Sequence, residues 1–198
     1  MNMKTVIKFS LLSVFAMTSY FVSANAYFNV KSAGDKTFVL SFQKPLSMDA
    51  QFRIEDQDGQ ILFIEALEKG THAAKKYNMS NLPEGEYFLY LEDEMSLKLQ
   101  PVVLKPAGLV VEPAKRTEVF KPIVTMNEGK MDFSLLHLSG QPVSIEILNA
   151  QGDVLYNEPK AESGSIQRRF DLTNLPAGDY SVAVRTDDNT FYKKVSIR

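Results

Sequence analysis

The chain repeats itself at a fixed offset of 93 positions. Gly59 falls on Gly152, Asn81-Leu82-Pro83 on Asn174-Leu175-Pro176, Gly85 on Gly178, Tyr87 on Tyr180 and Val102 on Val195. No gap is needed between Tyr27 and Lys105. The apolar pattern follows the same frame: Phe38, Leu40 and Phe42 fall on Met131, Phe133 and Leu135, and Phe52 and Ile54 on Ile145 and Ile147. A period this long describes two whole domains, because solenoid units repeat at roughly 20–50 residues.

Each copy reads as strands. "TFVLSF", "QFRIED" and "EYFLYLE" alternate with a period of two and are rich in β-branched and aromatic residues. The first copy predicts strands near 28–31, 37–43, 50–55, 60–66, 74–79, 86–92 and 97–104, and the second repeats them 93 residues on. Seven short strands with turn signals between them predict an all-β chain of two tandem seven-stranded antiparallel β-sandwiches. Between them "KPAGLVVEP" holds Pro106, Gly108 and Pro113 and reads as a stiff linker. The expected division is a signal peptide at 1–26, a first domain at 27–105, a linker at 106–113 and a second domain at 114–198.

The amino-terminal assignment rests on Lys4 and Lys8, an apolar run from Phe9 to Val22, and the small triplet Ala24-Asn25-Ala26. These are the parts of a cleavable secretory signal. The apolar run is shorter than the roughly 20 residues a bilayer-spanning helix needs. The mature chain is therefore expected to be exported to the periplasm, the cell surface or the medium, without a membrane span. Cleavage leaves 20 basic against 24 acidic residues and no basic run, so nucleic acid is not an expected partner. Cysteine is absent, so an exported chain must fold on hydrophobic burial alone.

The repeated motif reads as a corner. Leu82, Pro83, Gly85 and Tyr87, and again Leu175, Pro176, Gly178 and Tyr180, place a turn before a strand that starts with an inward tyrosine. Leu175 to Gly178 suits a type I turn. A tyrosine there can return its hydroxyl to the preceding backbone, as in the tyrosine corner of sandwich folds. The motif resembles that of fibronectin type III and Ig-like domains.

The second copy carries a further resemblance. "VSIEILNAQGDVLYNE", "IQRRFDLTNLPAGDYSVAV" and the terminal "FYKKVSIR" resemble the C-terminal sorting domains of the type IX (Por) secretion system, with Gly152, Leu175, Pro176, Gly178, Tyr180 and Lys194 at matching places. The resemblance implies that export machinery reads this domain. The candidate sorting strand is the last one, with Lys193, Lys194, Val195 and Ile197.

Other constellations are weak. His72 and His137 are not equivalent in the repeat frame, and no zinc or nucleophile motif surrounds them. Asp56, Asp58 and Gly59 form a fragment of a calcium loop without its distal ligands. The acidic tips at Glu92–Glu94 and at Asp187 and Asp188 read as solvated hairpin ends. No enzyme activity and no cofactor are expected. If Tyr87, Leu89 and Leu91 face the core, then Phe88, Tyr90, Leu97 and Leu99 face outward and form a candidate contact surface for a protein partner. The absence of tryptophan gives carbohydrate stacking no support. The leading expectation is an exported, non-enzymatic binding or structural module; the alternative is a type IX secretion substrate whose last domain is a sorting or surface-attachment signal. Signal peptidase should leave Tyr27 as the first residue, which N-terminal sequencing of exported protein checks; material still beginning at Met1 would contradict the export reading.

Overall fold

A computed structural model describes residues 28–161, 164–186 and 189–198. The signal-peptide assignment and the Asp187-Asp188 tip lie outside the described residues. Two hydrophobic cores form, one from Phe28 to Leu109 and one from Met131 to Val195.

Seven strands of the first copy are β1 (Phe28–Ser32), β2 (Thr37–Phe42), β3 (Ala50–Asp56), β4 (Ile61–Leu67), β5 (Lys75–Asn78), β6 (Gly85–Asp93) and β7 (Ser96–Lys105). One sheet runs β1-β2-β5 and faces a second that contains β4-β3-β6-β7. All pairings are antiparallel. Residues alternate inward and outward, so Phe52 and Ile54 from β3 meet Leu89 and Leu91 from β6 and Phe38 and Leu40 from β2.

The segment read as a linker is part of this domain. Gly108–Val111 forms β8, Pro113–Lys115 one 3-10 turn, and Thr117–Phe120 forms β9. Both strands lie on the same edge of β7. β8 covers Val102–Lys105 and β9 covers Ser96–Leu99. We call residues 106–121 the strap. The expectation of a stiff linker at 106–113 is corrected, and so is the start of the second domain at 114. Proline and glycine in "KPAG" make the tight reversal from β7 into β8, with Gly108 at a φ of 128°. The apolar "LVV" that follows buries Leu109 in the core.

The strap is also fastened by charge. Lys98 lies buried on β7, with Nζ 3.4 Å from Glu118 of β9 and 3.8 Å from Asp93. The fully buried Gln100 donates its amide to the carbonyls of Pro101 and Glu112, each at 2.9 Å. That amide sits where the strap passes between β8 and β9. Lys121 donates to Glu92 at 2.7 Å and its backbone N–H to the Met95 carbonyl at 2.8 Å.

The second copy is β10 (Ile123–Asn127), β11 (Lys130–His137), β12 (Val143–Asn149), β13 (Val154–Ala161), β14 (Gly164–Asp171), β15 (Gly178–Arg185) and β16 (Thr190–Ile197). Its sheets run β10-β11-β14 and β13-β12-β15-β16. The registers reproduce those of the first copy: Phe88 opposes Pro101, and Ser181 opposes Lys194, 93 positions on. The described residues place no strand on the outer edge of β16.

Truncation after Lys105 should damage the first domain, whereas a chain ending at Lys121 should fold. Losing the strap removes Leu109's share of the core, worth roughly 1.5–3 kcal/mol, and takes Glu118 from Lys98 and the Glu112 carbonyl from Gln100. A fall in Tm of roughly 10 °C or more is expected by thermal denaturation, with self-association through the bared β7 edge. Equal stability of the two truncations would contradict the structural role of the strap.

Candidate functional site

The repeated corner has the same geometry in both domains. Tyr87 is 4% exposed and its hydroxyl donates to the Pro83 carbonyl at 2.7 Å; Tyr180 is 8% exposed and donates to the Pro176 carbonyl at 2.8 Å. The hydrogen-bonded turn lies three residues earlier than its sequence suggests. Leu82 N–H bonds the Met79 carbonyl and Leu175 N–H the Leu172 carbonyl, each at 3.0 Å. Expectation put the turn on Leu175–Gly178; instead the turn precedes the proline, whose carbonyl is left for the tyrosine. Burial and Asp56 push the Tyr87 hydroxyl's pKa up, which keeps it a donor. This corner positions the start of β6 and β15.

The calcium-like fragment is also a turn device. Asp56 Oδ1 accepts the N–H groups of Asp58 at 3.0 Å and Gln60 at 2.9 Å. Asn149 does the same for Gln151 at 3.0 Å and Asp153 at 2.8 Å. Because a neutral asparagine serves equally, the position needs an acceptor and not a charge. Gly59 and Gly152 follow with φ of 77° and 88°, the left-handed geometry these hairpins require. No cluster of three or more His, Asp or Glu side chains is placed to hold a metal among the described residues. His137 is buried at the end of β11 with Nε2 2.7 Å from Ser139 Oγ.

The expected contact face is largely occupied. Phe88, Tyr90, Leu97 and Leu99 are each only half exposed or less. The Arg53 guanidinium lies 4.3 Å from the centroid of the Tyr90 ring and pairs with Glu55 at 2.6 Å and Glu92 at 2.5 Å. Leu97 and Leu99 run beside β9. Salt bridges and a covering strand thus replace the apolar patch that alternation predicts.

Exposed apolar surface lies instead on β4 and β13, which sequence reasoning did not single out. Ile61 and Ile64 are 51% and 52% exposed, and Leu62 and Phe63 are exposed beside them. Val154, Leu155 and Tyr156 stand at the same places in the second domain. Both are edge strands, and both carry one inward carboxylate. Glu65 accepts from Lys75 at 2.5 Å and from Tyr77 Oη at 2.7 Å. Glu158 accepts from Arg168 at 2.5 Å and 3.0 Å and from Tyr156 Oη at 3.2 Å. These contacts fasten β4 to β5 and β13 to β14 across the open side of each sandwich. Hydrogen bonds from Lys75 and Arg168, reinforced by the tyrosines, hold both carboxyls below their usual pKa. The tyrosine and phenylalanine have exchanged places between copies: Phe63 meets Tyr77, and Tyr156 meets Phe170, both edge-on. The run "ILFI", apolar at four consecutive positions, was the available signal for an exposed edge, since a half-buried strand would alternate.

The candidate sorting strand is β16. Val195 is buried, Lys193 and Ile197 are half-buried, and Lys194 is exposed. It pairs with β15 along its whole length. Together β15 and β16 put the corner tyrosine and both lysines on adjacent strands, with Tyr180 opposite Val195.

Residues 127–198 match the family of the secretion system C-terminal sorting domain. The match begins at the last residue of β10 and runs through β16, so it takes in the Leu175–Tyr180 corner and Lys193-Lys194. Among solved structures, the chain is similar to a biofilm associated protein's BSP domain, at 11% identity and a TM-score of 0.29, over 84% of this chain and 29% of that one. It is likewise similar to the FN1–FN3 domains of chicken CNTN1, at 8% identity and a TM-score of 0.29, over 86% of this chain and 63% of that one. The chain thus spans less than two thirds of either. No curated protein matches it. No helix among the described residues is long and apolar enough to cross a membrane.

Tyr87→Phe and Tyr180→Phe should each cost on the order of 1 kcal/mol through loss of the hydroxyl bond to a proline carbonyl. For domains of this size that is a Tm decrease of roughly 4–8 °C. Melting curves unchanged by both substitutions would show that the corner bonds contribute nothing.

Proposed function

We propose that this protein is cargo of the type IX secretion pathway, with the second domain as its address and the first as its passenger. The sorting-domain match over residues 127–198 carries this reading. It favours the sorting reading over a purely structural role for the second domain. It also implies export to the cell surface or the surrounding medium. The passenger is a non-enzymatic binding or structural module, and the support for binding is the exposed apolar edge Ile61–Ile64.

Two features suit the second domain to being read. Its last strand forms one side of a sheet, and that strand carries adjacent lysines. The first domain has the same corner but a capped seventh strand with Gln100 and Pro101 in place of the half-buried Lys193 and exposed Lys194. A shared corner therefore belongs to the fold, and the difference between β7 and β16 belongs to the address.

Reversing Lys193 and Lys194 to glutamate tests this in a host with the pathway. The variant should fold, shown by an unchanged melting profile, yet remain in the periplasm while the parent reaches the surface or medium. Leu62→Ser with Ile64→Ser, on the passenger's β4, should be exported like the parent. Parent-like distribution of a folded lysine-reversed variant would overturn the address assignment.

A further inference from the structure

The two copies differ at the outer edge of the seventh strand. In the first domain the strap covers it; in the second, no described strand is hydrogen-bonded to it, although β10 of the facing sheet passes close to β16. The orientation of the backbone there follows from three observations. Pro101 has no N–H and so cannot donate to β6, which puts its edge on the strap side. The amide of Gln100 bonds the Pro101 carbonyl at the gap in the strap. Lys121 N–H bonds the Met95 carbonyl, continuing the β7–β9 ladder. Residues 97, 99, 101 and 103 of β7 therefore direct their backbone groups toward the strap. The identical register between β15 and β16 carries this to Tyr192, Lys194 and Ser196. Their N–H and C=O groups line the outer edge of β16.

Charge identifies what fits there. The strap's Glu118 meets buried Lys98 of β7, while Glu112 reaches β7 through its carbonyl on Gln100 and pairs its carboxylate with Lys115 of the strap. In β16 the positions of Gln100 and Pro101 are taken by Lys193 and Lys194. A second copy pairing antiparallel through this edge would bring four lysines together, which disfavours self-association. An extended segment bearing carboxylates would meet opposite charge and complete the ladder.

We propose that the outer edge of β16 receives an extended acidic segment of a partner protein as an added antiparallel strand, in the manner of β8 and β9 on β7. Main-chain bonds would supply the attachment and the lysines the selectivity. This deepens the sorting reading and rests on it for the partner's identity, while the binding mode is testable without it.

The probe is a fluorescein-labelled peptide, Thr-Glu-Val-Glu-Val-Glu-Phe, which extends the Thr-Glu-Val-Phe of β9 with further carboxylates. Anisotropy is recorded with the full mature chain. The parent should bind saturably, and the peptide with lysine in place of glutamate should bind at least tenfold more weakly. Lys194→Ala removes a charge alone. Lys194→Pro also removes an edge donor, at a position where the equivalent β7 residue is already Pro101. The proline variant should bind at least tenfold more weakly than the alanine variant. Ser196→Pro, at the next edge donor, serves if Lys194→Pro does not fold by its melting profile. Absence of parental binding, equal binding of the lysine peptide, or equal binding by the alanine and proline variants would overturn the proposal. Export of the same variants in a host with the pathway separates the two readings. Strand addition to a sorting address predicts export of Lys194→Ala and retention of Lys194→Pro. Peptide binding with parent-like export of every variant, the Lys193→Glu, Lys194→Glu double included, would sink the sorting reading and leave the strand site standing. Export lost in the double variant, with no peptide binding to the parent, would do the reverse.

Discussion

Every strand at the side of a sheet carries a row of backbone donors and acceptors that another strand or water must satisfy. This chain meets that constraint in opposite ways at one equivalent place. The first domain closes the edge of β7 with its own strap, and Lys98, Gln100 and Lys121 fasten that strap to β7 and Glu92. Among the described residues the second domain's sheet ends at β16, with a buried Val195 on one face and Lys194 on the other. The strap is thus both the completion of one sandwich and the connection to the next, and Pro122 separates it from β10. The seventh strand is thus covered in one copy, whereas in the other no described strand pairs with its outer edge.

The remaining edge, β4 and β13, is governed by side chains. Glu65 and Glu158 point inward beneath an otherwise exposed apolar strand and are satisfied by Lys75 and Arg168. An inward charge on an edge strand opposes pairing with another chain, since a continued sheet gives it no new partner. The aromatic pair beside each carboxylate has swapped its hydroxyl from β5 to the edge strand β13, and the hydroxyl still reaches the carboxylate. What both copies keep is the bonded carboxylate, more than the residue that bonds it. Pro159 further limits β13, because it cannot donate to an added strand. β4 has no such residue, so the first domain keeps the more accommodating apolar edge.

Much of the fold was legible because the repeat aligned without gaps. The offset of 93 transfers strand positions and even register from one copy to the other, and the inward tyrosine of the corner is visible as Tyr87 and Tyr180. The strap was not legible. Pro106, Gly108 and Pro113 punctuate it like a linker, and its four-residue strands take their stability from β7, which local pattern does not report. The outward face of β6 was misread for a related reason. Alternation tells which side Tyr90 faces, but Arg53, 37 positions earlier, stacks on it from β3. The position of the hydrogen-bonded turn was displaced because Pro176 and Gly178 suggest a turn of their own, whereas the Leu172 carbonyl, just past β14, captures Leu175 N–H first. The candidate sorting strand was legible as a lysine-bearing terminal segment; its unpaired edge emerges only when β16 is set beside β7.

Residue-resolved amide hydrogen exchange on the unliganded mature chain tests the contrast between β7 and β16 most directly. Exchange slows by the free energy needed to open each bond. The amides of Leu97, Leu99 and Val103 should be protected by the strap, while their equivalents Thr190, Tyr192 and Ser196 should exchange rapidly beside protected Phe191, Lys193 and Val195. Strong protection at Tyr192 and Ser196 would mean that the edge of β16 is already covered, and rapid exchange at Leu97 and Val103 would mean that the strap does not close β7. Either result would contradict the account.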